Sequence, residues 1–298
     1  MEAIRLGSSD LEVSRVGLGC NNFGRRLDRE ATRAVIDAAL EVGVTFLDTA
    51  DTYGSGESER FIGEVLADRR DDVVLATKFG QDASVPGPGG SREHVRAAIA
   101  ASLGRLGFDV IDLYYYHRPD GVTPLEETLG AMQELVDEGR VRTLGLSNVD
   151  AEQLRRAAAS GVTVVAVQNH YSLLRRDDDA EVLPLCRELG IGYIPYFPLA
   201  SGRLTGKYRR GEPHPAGTRL AADDIADDDL RRVEALEREA GRHGHSILDA
   251  AIGGLASTPG IASVIAGATS AEQVRANTAA GEWHASAEQL AGLSRAAA

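Results

Sequence analysis

With 298 residues, 43% of them hydrophobic and 26% charged, the chain is long enough to bury a large core and has the composition of a globular enzyme, not of a disordered segment. A formal net charge of -13 disfavours functions that rest on nonspecific attraction to phosphate backbones or anionic membranes, so no nucleic-acid or membrane partner is expected. The opening Met1-Glu2-Ala3-Ile4-Arg5 lacks a basic-then-apolar leader, no segment reaches the roughly 20 apolar residues of a membrane helix, and Cys20 and Cys186 are too few for a disulfide scaffold; a cytoplasmic location is expected.

In chain order, two short alternating runs, 3–6 and 11–14, flank the turn-prone Gly7-Ser8-Ser9-Asp10 and predict a hairpin placed to plug or cap the fold. Eight strand-like runs follow at 16–20, 45–48, 73–78, 111–117, 141–147, 164–169, 191–196 and 263–267. Helical spacing of apolar residues lies between them at 29–42, 57–68, 92–106, 125–138, 151–160, 178–189 and 271–279. Eight alternations of strand and helix predict a single α/β domain over 1–298, a closed (β/α)8 TIM barrel. Two stretches break the rhythm: 81–90, rich in Gly and Pro, and 198–229, read as an active-site loop because the eighth strand must follow it. Helices at 231–242 and 247–257 precede that strand, and a terminal helix at 287–296 lies outside the repeat, over the lower face or the entrance.

Barrel enzymes place their chemistry at the C-terminal ends of the strands. Here those ends carry Asp48, Lys78, His117, Ser147-Asn148 and Gln168-Asn169 on five successive strands. Each alone has a structural explanation, such as a cap, a solvated strand end or a satisfied histidine; an acid, a lysine and a histidine on three consecutive strand ends together favour catalysis. Tyr53 follows in a turn-rich loop that brings its phenol over the mouth. An ammonium beside a phenol of ordinary pKa ~10 lowers it by roughly 1–3 units, which makes Tyr53 a proton donor, with Asp48 holding Lys78 and His117 orienting a carbonyl oxygen.

The motifs Gly17-Leu18-Gly19, Asp48-Thr49-Ala50 through Tyr53-Gly54 to Ser58-Glu59 and Ile62-Gly63, Thr77-Lys78, His117, Gly145-Leu146-Ser147-Asn148, Gln168-Asn169 and Pro198-Leu199 span nearly the whole chain. In combination they resemble the aldo-keto reductase superfamily, in the branch that includes potassium-channel β-subunits and bacterial aldo/keto reductases. The resemblance implies a barrel with an N-terminal β-hairpin and extra C-terminal helices, NADP(H) as hydride carrier, Tyr53 as general acid, Lys78 and Asp48 as its tuning pair and His117 as the orienting group. It further implies that Ser147, Asn148 and Gln168 hold the nicotinamide carboxamide, that Tyr196 stacks on the ring, and that Gly19, Cys20 and Asn21 flank the cofactor. Leu199, Ser201, Gly202, Leu204, Gly206 and Lys207 would form the loop over the pyrophosphate, with Pro198 a further cofactor contact.

Gly267-Ala268-Thr269-Ser270 leads into a helix in which Ser270 and Gln273 stand at capping-box spacing, so free amides there would face an anion such as a 2′-phosphate. Gly267, Thr269, Gln273 and Asn277 are the adenosine-side candidates. Thr269 stands where many members carry lysine, arginine or serine, and Ala276 replaces a frequent glutamate; NADP(H) is favoured, with NAD(H) as the alternative. Asn22, Phe23, Tyr53, Phe79, His117 and Arg118 are the substrate-lining candidates, Arg118 being suited to an anionic or hydroxylated substrate.

The glycine spacings match neither the dinucleotide fingerprint of an open sheet nor a P-loop, and His243-Gly244-His245 lacks partners at ligand spacing, so no metal is expected. The leading expectation is interconversion of a small carbonyl and its alcohol by a monomer or homo-oligomer. An alcohol dehydrogenase running oxidatively, a cofactor-binding regulatory subunit and, for want of a second carboxylate, less strongly a glycoside hydrolase are the competing readings.

Overall fold

A computed structural model describes residues 1–210, 212 and 225–298; within the expected loop at 198–229, residues 211 and 213–224 lie outside the described residues. The hairpin forms from β1 (Ala3–Arg5) and β2 (Glu12–Ser14), paired antiparallel. Eight further strands follow: β3 (Val16–Gly19), β4 (Phe46–Asp48), β5 (Val74–Phe79), β6 (Ile111–Tyr116), β7 (Val141–Ser147), β8 (Val164–His170), β9 (Gly192–Tyr196) and β10 (Val264–Gly267). They pair in parallel in the order β10-β3-β4-β5-β6-β7-β8-β9. A bridge between Tyr193 and Ile261, with Tyr193 N donating to Gly260 O at 3.0 Å and Ala262 N to Tyr193 O at 2.9 Å, brings the two edges together. The fold is a (β/α)8 barrel with an N-terminal hairpin.

The helices between the strands bury one face each. In α1 (Arg29–Glu41) the buried Thr32, Val35, Ile36, Ala38 and Ala39 recur at helical spacing, and Asp28 caps the start by accepting from Ala31 N. The others are α2 (Glu57–Leu66), α3 (Arg92–Leu106), α4 (Leu125–Asp137), α5 (Ala151–Ala159), α6 (Val182–Leu189), α7 (Asp227–Gly241), α8 (Ile247–Asp249, continued as a π turn over Ala250–Gly254), α9 (Ala271–Ala280) and α10 (Ala287–Ala297). The helix predicted from 178 starts four residues later, because Asp177–Asp179 forms a 3₁₀ turn whose carboxylates are taken by other groups: Asp178 accepts from Asn169 and Tyr193. The terminal helix α10 packs on α7, where Arg232 Nε donates to Ala297 O at 2.6 Å.

Two layers of core position the site. Outside the sheet, strand and helix side chains fill the space between barrel and shell. Inside it, Phe46, Ala76, Leu113, Tyr115, Ala166 and Ile194 pack with Leu6 and Val13 from the hairpin, which plugs the end opposite the strand C-termini. A Cβ on Gly7 would lie 2.3 Å from Val165 O, so glycine is what lets the hairpin seat there. With that end sealed, polar residues on the inner face are forced to the other mouth.

Candidate active site

Asp48 ends β4 and Lys78 lies one residue before the end of β5, both almost wholly buried, with Lys78 Nζ donating to Asp48 Oδ1 at 2.5 Å. The ammonium also donates to Thr49 O at 2.8 Å and reaches Tyr53 Oη at 3.4 Å. Tyr53 does fold back over the mouth. Its turn continues through Gly54, Ser55 and Gly56, all at positive φ, and a Cβ on Gly54 would meet Phe23 O at 2.7 Å. The turn is pinned to β5 by Thr49 N to Ala76 O and Asp51 N to Lys78 O. The stretch between Asp48 and Tyr53 is thus a strapped connection.

His117 follows β6 directly, its ring 6.2 Å from that of Tyr53 in an edge-to-face arrangement. Burial first, then the positive charges of Lys78 and Arg118, push the imidazole down to about 3, so at neutral pH it is uncharged and has one N–H to give. Burial is also the largest influence on Tyr53; together with Asp48 it outweighs Lys78 and raises the phenol above its ordinary value. This corrects the expectation that Lys78 lowers it: the ammonium acts on a phenol that desolvation has already moved the other way. For Lys78 itself, burial opposes the charge, but Asp48 and then Tyr53 outweigh it and hold the ammonium above its usual range.

The neighbouring strand ends converge on the same mouth. Gln168 Nε2 donates to Asp48 Oδ2 at 2.8 Å, so both carboxylate oxygens of Asp48 are occupied. Asn148, at a strained φ of 56°, donates to His117 O at 2.8 Å and accepts from Tyr196 Oη at 2.7 Å. Ser147 Oγ accepts from the Asn148 amide at 3.1 Å. Tyr196 lies against His170, with ring centroids 5.3 Å apart.

On the other side of the mouth, Asn22 donates to Ala268 O at 3.2 Å, and a Cβ on Gly267 would meet only ordinary contacts from Asn21 and Asn22. Gly19 pairs with Gly267, while Cys20 beside it is fully buried. At the start of α9, Ser270 accepts from Gln273 N, as its spacing predicts. Gln273 does not complete the box: its Oε1 instead accepts from Thr269 N at 2.8 Å and Thr269 Oγ1 at 3.1 Å, because Thr269 offers two donors to one carbonyl. Asn277 is buried one turn on. The loop after β9 carries Pro198, Leu199, Ser201, Gly202, Leu204 and Lys207; Ser201 and Gly202 adopt positive φ, Leu204 is buried, and Lys207 folds back so that its Nζ would meet a Cβ on Gly202 at 3.1 Å.

Two substrate candidates do not reach the mouth. Phe79 is fully buried, stacked against Tyr114 and Tyr116 at 4.8 and 5.2 Å, and Phe23 is fully buried, so both pack in the core outside the sheet. Arg118 is exposed beside His117. The His243-Gly244-His245 pair is accounted for by Glu239 beside His243 and by Trp283, whose ring stacks on His245 at 4.1 Å. The Gln168–Asp48 bond was missed in the sequence, since nothing in spacing joins residues 120 apart.

Known proteins resemble this chain along most of its length. A probable voltage-gated potassium channel subunit beta of Oryza sativa subsp. japonica is 37% identical over 93% of this chain and 90% of its own. A probable aldo-keto reductase 1 of Glycine max is 42% identical over 70% of this chain and 62% of its own. Among solved structures, an aldo-keto reductase from Bacillus halodurans in its holo form superposes with a TM-score of 0.84 at 32% identity, covering 99% of this chain and 96% of that one. The sequence model of the Aldo/keto reductase family matches residues 15–298, and with these relatives and this barrel the chain belongs to that family of oxidoreductases.

Proposed function

We propose that the chain is an NADP(H)-dependent oxidoreductase that interconverts an aldehyde or ketone and its alcohol, with Tyr53 as the general acid. The observation that carries this reading is the unbroken path Asp48–Lys78–Tyr53, at 2.5 and 3.4 Å, ending beside the uncharged His117. Tyr53 keeps its proton at neutral pH, as an acid must before the reaction, and Lys78 stabilises the phenolate left when the proton has gone to the carbonyl oxygen. His117 donates a neutral hydrogen bond to the same oxygen and fixes its orientation. In the oxidative direction the alcohol hydroxyl gives its proton to the Tyr53 phenolate, with Lys78 and His117 in the same roles.

The residues present fit a nicotinamide dinucleotide. Asn148 is held in a strained backbone conformation with its side chain fixed at both ends, Gly267 leaves room beside Asn21 and Asn22 on the far side, and the ten-residue α9 opens on amides near Thr269. Ser147, Asn148, Gln168 and Tyr196 would hold the nicotinamide end, and Lys207, Thr269, Gln273 and Asn277 the phosphates and adenosine. When bound, the cofactor supplies or accepts the hydride. Lys207 and the Thr269 region favour the 2′-phosphate form, although Gln273 competes for the Thr269 amide.

The test is an NADPH and NADH fluorescence titration followed by an absorbance screen of carbonyls and alcohols. Tyr53→Phe is expected to keep cofactor binding and lose roughly 10²–10⁴ of kcat. Normal turnover by a folded Tyr53→Phe protein would sink the assignment. The relative named as a channel subunit makes a regulatory role the second reading; tight cofactor binding without turnover on any of these compounds, together with a stable complex with a channel-type partner, would favour it.

A further inference from the structure

Behind the Tyr53 turn lies a carboxylate that the proposed chemistry does not use. Asp51 is 2% exposed, and neither of its side-chain oxygens has a hydrogen-bond partner. The Glu59 carboxylate on α2 stands close by, fully buried, accepting from Thr77 Oγ1 at 2.6 Å and Arg105 Nε at 2.6 Å. Arg105 also donates from Nη2 to Ser102 Oγ at 3.2 Å. Two buried carboxyl groups thus share one guanidinium, and Glu59 holds it.

The charge of Arg105 and the neighbouring backbone amide of Thr52 favour the carboxylate, but burial, Glu59 and Asp82 outweigh them. Asp82, in the loop after β5, adds negative charge. His94 on α3 is buried with both ring nitrogens unpartnered, and Tyr114 on β6 is fully buried with an unpartnered hydroxyl. From β5, Asp51 meets the carbonyl of Lys78 through its own amide, at 3.1 Å. An ionised carboxylate without partners is expelled from such a place, whereas the protonated acid is tolerated.

We propose that Asp51 is a positioning residue for Tyr53: buried as a neutral carboxylic acid it leaves the backbone bonds of the 49–53 turn to β5 intact, and on ionisation it draws the turn out toward solvent. The role rests on the reading of Tyr53 as general acid. Its amide is the middle pin of the strap: Thr49 N binds Ala76 O, Asp51 N binds Lys78 O and Tyr53 N binds Ala50 O. Movement of the side chain toward solvent pulls on the bond to Lys78 and on the turn that carries the phenol. Burial first, then Glu59 and Asp82, push the carboxyl up to about 7, which puts the release near neutral pH.

Three proteins decide this: wild type, Asp51→Asn, which keeps the neutral shape, and Asp51→Ala, which empties the buried site behind the turn. Amide exchange at residues 49, 51 and 53, corrected for intrinsic base catalysis, is followed with carbonyl reduction from pH 5.5 to 9. In the wild type, protection and kcat are expected to fall together through neutral pH. The loss in kcat should be roughly tenfold, because a displacement of ~1 Å can cost up to about 100-fold. Asp51→Asn should hold the acid-side values of both throughout, and Asp51→Ala should lower both at every pH, with KM for NADPH unchanged in each. Superimposed profiles for wild type and Asp51→Asn would overturn the proposal. A wild type that turns over no carbonyl defeats the reductase reading instead, and the exchange data alone then decide whether ionised Asp51 draws the turn out.

Discussion

Gln168 and Asp48, from opposite sides of the barrel, are joined by a 2.8 Å hydrogen bond from the Gln168 amide to the carboxylate that also accepts from Lys78. One buried carboxylate therefore links the residue proposed to hold the nicotinamide to the ammonium beside Tyr53. Removing its charge leaves Lys78 buried without compensation, which typically costs about 3–5 kcal/mol. Asp48→Asn is expected to lose about that much in urea unfolding and to lower kcat more than KM for the carbonyl. A stability within 1 kcal/mol of wild type would show that Thr49 O and Tyr53 suffice to hold the charge.

Gln168→Leu separates the two roles of that amide. It leaves Asp48 Oδ2 without its donor, a loss of about 1–3 kcal/mol for a buried acceptor, and deprives the cofactor of a contact. Weaker NADPH binding by fluorescence and a lower unfolding free energy are expected together. If binding weakens with no change in stability, the Asp48 contact is energetically idle.

The barrel was legible in the sequence because its signals are local: apolar strand runs, helical spacing and caps such as Asp28 recur within a few residues. The strand-end acid, lysine and histidine were legible for the same reason, each lying at or beside the end of its strand. What escaped depends on distance and burial. Whether Phe79 faces substrate or core is decided by Tyr114 and Tyr116 on the next strand. The direction of the Tyr53 shift follows from desolvation, which a motif does not record. The setting of Asp51 depends on its burial and on Glu59 and Asp82, which come from other elements of the chain.

For Tyr53, the difference between the ultraviolet titrations of wild type and Tyr53→Phe should show a phenol ionising above the ordinary value of 10.0. Lys78→Met removes the one strong influence that lowers it, so the titration should move further up while reduction is lost. A titration below 10 in the wild type would mean that Lys78 prevails over burial.

His117 gives a stability prediction of definite sign. Its imidazole titrates near 6.5 in the unfolded chain and is pushed down to about 3 when folded, so between those values the unfolded state binds more protons. Stability attributable to neutral His117 is present above pH 6.5 and is lost as the pH falls toward 3, by at most about 1.4 kcal/mol per pH unit. His117→Gln should flatten the acid side of the unfolding curve. An unchanged slope would place the histidine in a more solvated setting than its burial indicates.

Two glycines on adjacent helices should respond to alanine with opposite signs. In an exposed helix interior the change favours folding by roughly 0.5–1 kcal/mol, because glycine loses more backbone entropy. Gly104 on α3 has nothing within 4 Å of an added Cβ, so Gly104→Ala should gain that amount. Gly63 on α2 faces the end of α3, where an added Cβ would sit 2.1 Å from Leu106 O and 2.9 Å from Leu106 Cα. Backbone cannot swing aside as a side-chain tip can, and such overpacking costs typically 1–3 kcal/mol, which exceeds the entropic gain. Gly63→Ala should therefore lower the unfolding free energy, and because α2 carries Glu59 and follows the Tyr53 turn, it should also lower kcat. Equal and positive shifts in both variants would mean that α2 and α3 pack less closely than the Gly63–Leu106 approach requires.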